Sequence, residues 1–188
     1  MIFTPEQQQF LLHLARSSIE NVVARKPFET GEVPDRLKEP GACFVTLTKN
    51  GQLRGCIGSL VARQLLYKDV LENAKHAALD DPRFPQVREE ELSAIRIEVS
   101  VLSAPVERNF KDDKELIAIM TKERPGLVIH AGFYSATFLP QVWEQVPRPD
   151  EFVSHLCRKA GLPPHAWKDK TFFKKMKFET YTVEKIEK

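Results

Sequence analysis

The residues with the clearest chemical potential lie in one short run, Leu53-Arg54-Gly55-Cys56-Ile57-Gly58. A cysteine attacks as its thiolate, and an unperturbed thiol is only about 3% ionised at pH 7, so a nucleophilic Cys56 needs help from its surroundings. Asn50-Gly51 just upstream is a hairpin signal, because a type I′ turn requires positive φ at both central residues. With that turn, Lys49 faces Gln52, Leu47 faces Arg54, Val45 faces Cys56 and Cys43 faces Gly58. Arg54 and Cys56 then share a face, about 6.6 Å apart along the strand, where a folded-back guanidinium favours the thiolate. Cys43 falls diagonally from Cys56 at roughly 7 to 8 Å, beyond comfortable disulfide reach. Gly55 and Gly58 flank the thiol, and strand glycines mark places where a ligand or another backbone comes close. The plainer alternative is a buried, inert cysteine in a glycine-kinked strand.

Asp80 and Asp81 fall at the carboxyl end of a helix, where the macrodipole disfavours negative charge, and Arg83 is the partner that offsets it. At about 100° per residue only Asp81 points along the buried side, so the two aspartates form no catalytic dyad. They suit an Asp81-Arg83 corner holding Phe84 better than a site of their own. His76 and Asp80 make an exposed i,i+4 pair rather than a base and its orienter. His130 closes a strand before Gly132, and Cys157 borders an apolar stripe, two residues from a His155 that does not face it. No Cys/His spacing resembles a zinc site, and no Walker A or G-x-G-x-x-G run is present, so the sequence calls for no metal and no cofactor. Lys168, Lys170, Lys174, Lys175 and Lys177, interleaved with Trp167, Phe172 and Phe173, form the one basic-aromatic stretch. It has the composition to touch phosphates, although a solvated face beside core aromatics is the commoner origin.

The elements that must position these residues follow from local patterning. Thr4-Pro5 with Gln7 starts a helix that runs to about Arg25, with Leu11, Leu14, Ala15, Ser18, Ile19 and Val22 on one face. Cys43 to Lys49 and Gln52 to Gly58 are the hairpin strands. A second helix carries Tyr67, Val70, Leu71, Ala74, Ala77 and Ala78 and stops before Pro82. Ile95, Ile97, Val99 and Val101 alternate as a half-buried strand. Asp112 with Glu115 opens a short helix through Met120, and Leu127 to His130 plus Tyr134 to Leu139 form a second hairpin around Gly132. A further helix starts at Pro149-Asp150 and ends at Gly161, and Phe178 to Ile186 reads as one final strand. Strands grouped in hairpins rather than in βαβ order predict an α+β fold, a mainly antiparallel sheet of hairpins flanked by helices.

Composition bounds the function. The length of 188 residues predicts one domain, or one with a small second lobe, and at this mass folding hides about 70% of the unfolded chain's surface, enough for a core without disulfides or metal. With 28 Lys plus Arg against 26 Asp plus Glu, the net charge is +2 and the pI about 8.4, which argues against a nucleic-acid-binding domain. Three cysteines without a C-x-x-C suit reduced thiols in the cytoplasm. The amino terminus lacks the basic and apolar regions of a secretion signal, and Pro125 to Trp143, the longest stretch free of Asp, Glu, Lys and Arg, is interrupted by glycine and proline. No membrane association is expected.

Leu53-Arg54-Gly55-Cys56-Ile57-Gly58 resembles the signature hexapeptide of the AMMECR protein family, also called AmmeMemoRadiSam system protein A. Asn73-Ala74 with Ala77-Ala78, Asp81-Pro82-Arg83-Phe84, Ser100-Val101-Leu102-Ser103, Thr137 to Val142 and Leu156 to Leu162 resemble the same family in order. One departure is Arg124-Pro125-Gly126, where a Gly-x-His-Gly-like turn is expected. The resemblance implies a single domain over residues 1–188 with a larger lobe, a smaller second lobe built from the 104–145 region, and a cleft near the hexapeptide. It further implies that Arg54, Gly55, Cys56, Gly58, Asp81, Arg83 and Phe84 line one site for an unknown small-molecule ligand, with Gln141 as a further binding residue. The family carries no agreed reaction; its genes are associated with a Memo-like protein, related to ring-opening dioxygenases, and with a radical-SAM enzyme, the two partners implied here. The leading expectation is an enzyme or enzyme-system component with Cys56 as nucleophile or acceptor, served by Arg54. The rivals are a non-catalytic binding or adaptor protein and, third, a nucleic-acid-binding or regulatory protein.

Overall fold

The computed structural model describes residues 3–187, which divide into two compact units, residues 3–103 with 184–187 and Ala104–Val183. The first unit opens on α1 (Pro5–Val23), started by the capping box in which Thr4 and Gln7 satisfy each other's backbone N–H groups. Its inward face is Leu11, Leu14, Ala15 and Ile19. Next come β1 (Pro40–Lys49), β2 (Gln52–Gly58), the two-residue β3 (Gln64–Leu65), α2 (Leu66–Leu79) and β4 (Ile95–Leu102). The sheet order is β2-β1-β4-β9, with β3 paired to β1 and β9 spanning Val183–Glu187. Strand β2 therefore lies at an edge. Val45, Leu47, Val70, Ala74, Ile97, Val99 and the α1 stripe close the core.

The tip of the β1–β2 hairpin is as expected: Asn50 and Gly51 have φ of 53° and 77°, and Lys49 pairs with Gln52. Beyond it the register departs from the simple alternation. Thr48 pairs with Leu53 but Leu47 pairs with Gly55, so Arg54 is the extra residue of a β-bulge and every later pair moves by one. Cys56 consequently faces Thr46, not Val45, and lies on the opposite side of the sheet from Cys43, Val45 and Leu47. The bulge has a packing cause. A Cβ at position 55 would sit 2.1 Å from the carbonyl oxygen of Ala77, so α2 presses onto β2 at a spot only glycine can offer. The bulge turns Gly55 to that face.

The second unit contains β5 (Val106–Arg108), α3 (Asp113–Glu123), β6 (Gly126–Ala131), β7 (Tyr134–Phe138), α4 (Pro149–Lys159), α5 (Lys170–Phe173) and β8 (Lys177–Tyr181). Its sheet runs β5-β8-β6-β7, with these pairings antiparallel. Asp112 caps α3 by accepting from Glu115 N, and Gly161 ends α4 at φ 83°. Trp143 stacks on Phe152 with centroids 3.7 Å apart, at the middle of a core that includes Leu116, Leu127, Ile129 and Leu156. The single final strand expected from the sequence is two. Phe178 belongs to the core of the second unit and Ile186 to that of the first, so the chain changes sheets after Tyr181. With helices and two sheets of hairpins, the fold is α+β. Among the described residues, no helix is long and apolar enough to cross a membrane.

Candidate functional site

Cys56 sits on an edge strand, so its peptide N–H and C=O point away from β1 and need partners other than a neighbouring strand. The turn after α2 supplies them. Buried Asp81 accepts from Cys56 N at 2.8 Å, and Arg83 Nη2 donates to Cys56 O at 3.2 Å. Asp81 and Arg83 are themselves locked together: Arg83 Nε donates to Oδ1 at 2.9 Å, Nη2 to Oδ2 at 2.7 Å, and Arg83 N to Oδ1 at 3.1 Å. This fork holds the Asp81 carboxyl well below the usual carboxylate range, against the opposing effect of its burial. The Arg83 pKa is raised, first by Asp81, with smaller contributions from the charge and side-chain hydrogen bonding of Cys56. The Arg83 side chain is 53% exposed, so the guanidinium serves both the fixed aspartate and the solvent side. Phe84 lies beneath it, the ring centroid 5.4 Å from Cζ. The expected Asp81-Arg83-Phe84 corner is therefore present, and it grips the main chain of Cys56.

The Cys56 sulfur has its own partner. Thr46, directly across on β1, donates its hydroxyl to Sγ at 3.4 Å. Thr46 in turn pairs with Glu98 on β4, which places Cys56, Thr46 and Glu98 in one cross-strand row on one face. Glu98 accepts from Ser100 Oγ at 2.8 Å and lies 3.8 Å from Lys185 Nζ. Of the three cysteines, all free, Cys43 and Cys157 are fully buried and Cys56 is half-buried. Burial pushes the Cys43 thiol well up, with the charge of Asp69 acting in the same direction, and pushes Cys157 to about 11. Those two are inert by position.

Arg54 does not serve the thiol. As the bulged residue it turns to Glu91, donating from Nε to Oε1 at 3.1 Å and from Nη2 to Oε2 at 2.9 Å, and reaches Gln86 O at 3.3 Å. Glu91 also takes Lys49 Nζ at 2.9 Å, and these cations hold its carboxyl down at about 2, Arg54 first. Arg54 thus ties the hairpin to the turn before β4, and the cation beside Cys56 is Arg83. Gly55 and Gly58 are filled by the protein itself: the space at 55 belongs to Ala77 O, and a Cβ at 58 would meet the Phe44 ring at 2.3 Å. Gln141 lies in the second unit, in the turn Pro140–Glu144, with a buried Oε1 that lacks a hydrogen-bond partner among the described residues.

A second buried carboxylate, Asp69, lies outside the sequence-based candidates. Asp69 on α2 accepts from Cys43 N at 2.9 Å, Ser59 Oγ at 3.0 Å, Gln64 Nε2 at 3.2 Å and Asn73 Nδ2 at 2.9 Å, while Asn73 also donates to Cys43 O at 3.2 Å. Asp69 pins β1 as Asp81 pins β2. The available signal was two polar residues four apart on an otherwise apolar helical stripe. Glu98 was legible too, as the residue between Ile97 and Val99 that must face away from the core. Among the described residues no three His, Cys, Asp or Glu side chains converge as a metal site.

The family model described as AMMECR1 matches residues 12–186. MJ0810 of Methanocaldococcus jannaschii is 37% identical over 193 residues, covering 99% of this chain and 94% of that protein. MK0488 of Methanopyrus kandleri is 39% identical over 173 residues, covering 87% and 82%. The crystal structure of an uncharacterised protein, PH0010 from Pyrococcus horikoshii, superposes with a TM-score of 0.75 at 33% identity, over 98% of this chain and 93% of that one.

Proposed function

This chain belongs to the AMMECR1 family, and on that premise we propose that it is an enzyme or enzyme-system component whose Cys56 thiol is the nucleophile or acceptor, with Arg83 beside it. The observation that carries this reading is the treatment of Cys56: the residue is half-buried, its sulfur takes the Thr46 hydroxyl, and its backbone N–H and C=O are clamped by Asp81 and Arg83. A fixed backbone holds the sulfur at one place, which is what reaction with a bound electrophile needs. The half-exposed Arg83 guanidinium suits a ligand carrying an anionic group. Among the described residues no histidine hydrogen-bonds the sulfur, which favours an electrophile already activated before it arrives. The thiolate sulfur then forms the new bond, the leaving group departs with its electron pair, and the thiol proton passes to water. The family resemblance supports a Memo-like protein and a radical-SAM enzyme as the partners that supply or consume such a species, and three free thiols support a reducing, cytoplasmic setting.

One observation favours a second reading, the adaptor. Leu53 at the start of the hexapeptide and Leu60 and Val61 just beyond its end are exposed at 44%, 43% and 58%, apolar side chains at both ends of the edge strand. Complementation of a strain deleted for the gene separates the two. The enzyme reading expects Cys56→Ser and Cys56→Ala to lose function; it falls if both retain it while Leu60→Asp with Val61→Asp abolishes it.

A further inference from the structure

The basic-aromatic stretch has no part in the Cys56 site, and in the second unit it borders a groove. Two adjoining cavities of about 350 and 610 Å³ share Pro163, Phe172 and Lys175 as walls. Ala131, Tyr134 and Leu162 add to the walls of the smaller, which is mainly apolar, while His165, Ala166, Asp169 and Thr171 add to the larger, with Lys175 in the walls of both. Beside it the β6–β7 hairpin turns on Gly132, at φ 61°, and carries Phe133 at its tip with the whole side chain in solvent. The turn needs the glycine and places no demand for an aromatic at the next position. A fully exposed phenylalanine next to an apolar hollow marks a surface made for contact.

Charge says what kind of contact. Lys168, Lys170, Lys174, Lys175 and Lys177 are all exposed, and among the described residues none has a carboxylate within 4 Å. The one acid inside the run, Asp169, is occupied in capping α5, accepting from Thr171 N and Phe172 N. Five lysines against this one aspartate, which lies on the wall of the larger cavity, leave the stretch with a net positive charge. Trp167 and Phe173, which give it the look of a nucleic-acid platform, are buried in the core and offer no face for base stacking. Concave aliphatic walls receive a side chain, and the surrounding ammonium groups receive carboxylates.

We propose that this groove docks an acidic peptide segment of a partner protein, with an aliphatic or aromatic side chain of that segment seated against Pro163 and Phe172 and its carboxylates on the lysines. The site is separate from Cys56 and stands whether or not the thiol is reactive. The test is selection of a random-sequence phage-displayed peptide library on the full chain, with the Lys175→Glu, Phe133→Ser double variant as counter-target. Both positions are exposed, and a thermal melt confirms that the variant folds. A uridine-rich single-stranded RNA is run beside it as the alternative ligand. The expected result is enrichment of peptides with Asp or Glu around Leu, Ile or Phe, weakened roughly tenfold or more on the variant. The proposal is overturned if no peptide is enriched, if the enriched peptides lack that pattern or bind the variant equally, or if the RNA alone binds in a Lys175-dependent way.

Discussion

The first unit encloses Asp69, Asn73 and Asp81, at 3%, 6% and 4% exposure, whereas the buried polar side chains of the second are the hydroxyls of Ser154 and Thr180. Burying a carboxylate is costly unless it is fully partnered, and each of these is: Asp69 by four donors, Asp81 by Cys56 N and a forked arginine. Both end on the backbone of the hairpin that carries Cys56, one on each strand. The second unit closes instead on packing around Trp143, Phe152 and Leu156, with neutral hydrogen bonds from Trp143 Nε1 to Pro125 O and from Trp167 Nε1 to Ser154 Oγ. The contrast teaches where precision was needed. Ionic pins fix the main chain around the thiol, while the apolar unit keeps its charge on the outside, around a groove.

The largest expected effect tests the apolar side of the contrast. Phe152→Ala removes a fully buried ring that stacks on Trp143, and denaturant unfolding should show a loss of about 3–5 kcal/mol. Native-state alkylation of Cys56 should be unchanged, and a changed Cys56 rate would break the contrast. Next comes Asp81→Ala, which strands Cys56 N and the inner side of Arg83, with an expected cost of roughly 2–4 kcal/mol. A cost under about 1 kcal/mol would make the pin dispensable.

A smaller effect follows from pH. Asp81 and Glu91 have folded-state pKa values below their unfolded ones, Glu91 at about 2 against an ordinary 4.5, so their stabilisation is present above about 4.5 and is lost as the pH falls toward 2. Both lie in the first unit, while both tryptophans, Trp143 and Trp167, lie in the second. In an acid titration, hydrogen exchange in β2 and α2 should therefore rise before tryptophan fluorescence changes. Simultaneous loss, or fluorescence leading, would break the comparison.

Much of this frame is legible locally. Thr4-Pro5 with Gln7, Asn50-Gly51, the Ile95-to-Val101 alternation and Gly161 each act within a few residues, and each does what its local chemistry requires. The Asp81-Arg83 corner is equally local. What is not legible depends on contacts far apart in sequence. The bulge at Arg54 answers to Ala77 on α2, and the partner of Arg54 is Glu91, 37 residues away. That single inserted residue moves Cys56 to the other face of the sheet, swaps its neighbour Val45 for Thr46 and leaves Arg83 as its cation. The division of the final strand is of the same kind, decided by which core takes Phe178 and which takes Ile186.

The measurement closest to the central claim is the rate of alkylation of each cysteine in the native protein, read by peptide mass spectrometry, for the wild type and for Arg83→Gln. The account predicts that Cys56 is modified first, that Cys43 and Cys157 stay protected until the chain unfolds, and that Arg83→Gln slows Cys56 several-fold while Arg54→Gln does so less. A Cys56 as slow as Cys43, or one indifferent to Arg83, would contradict it.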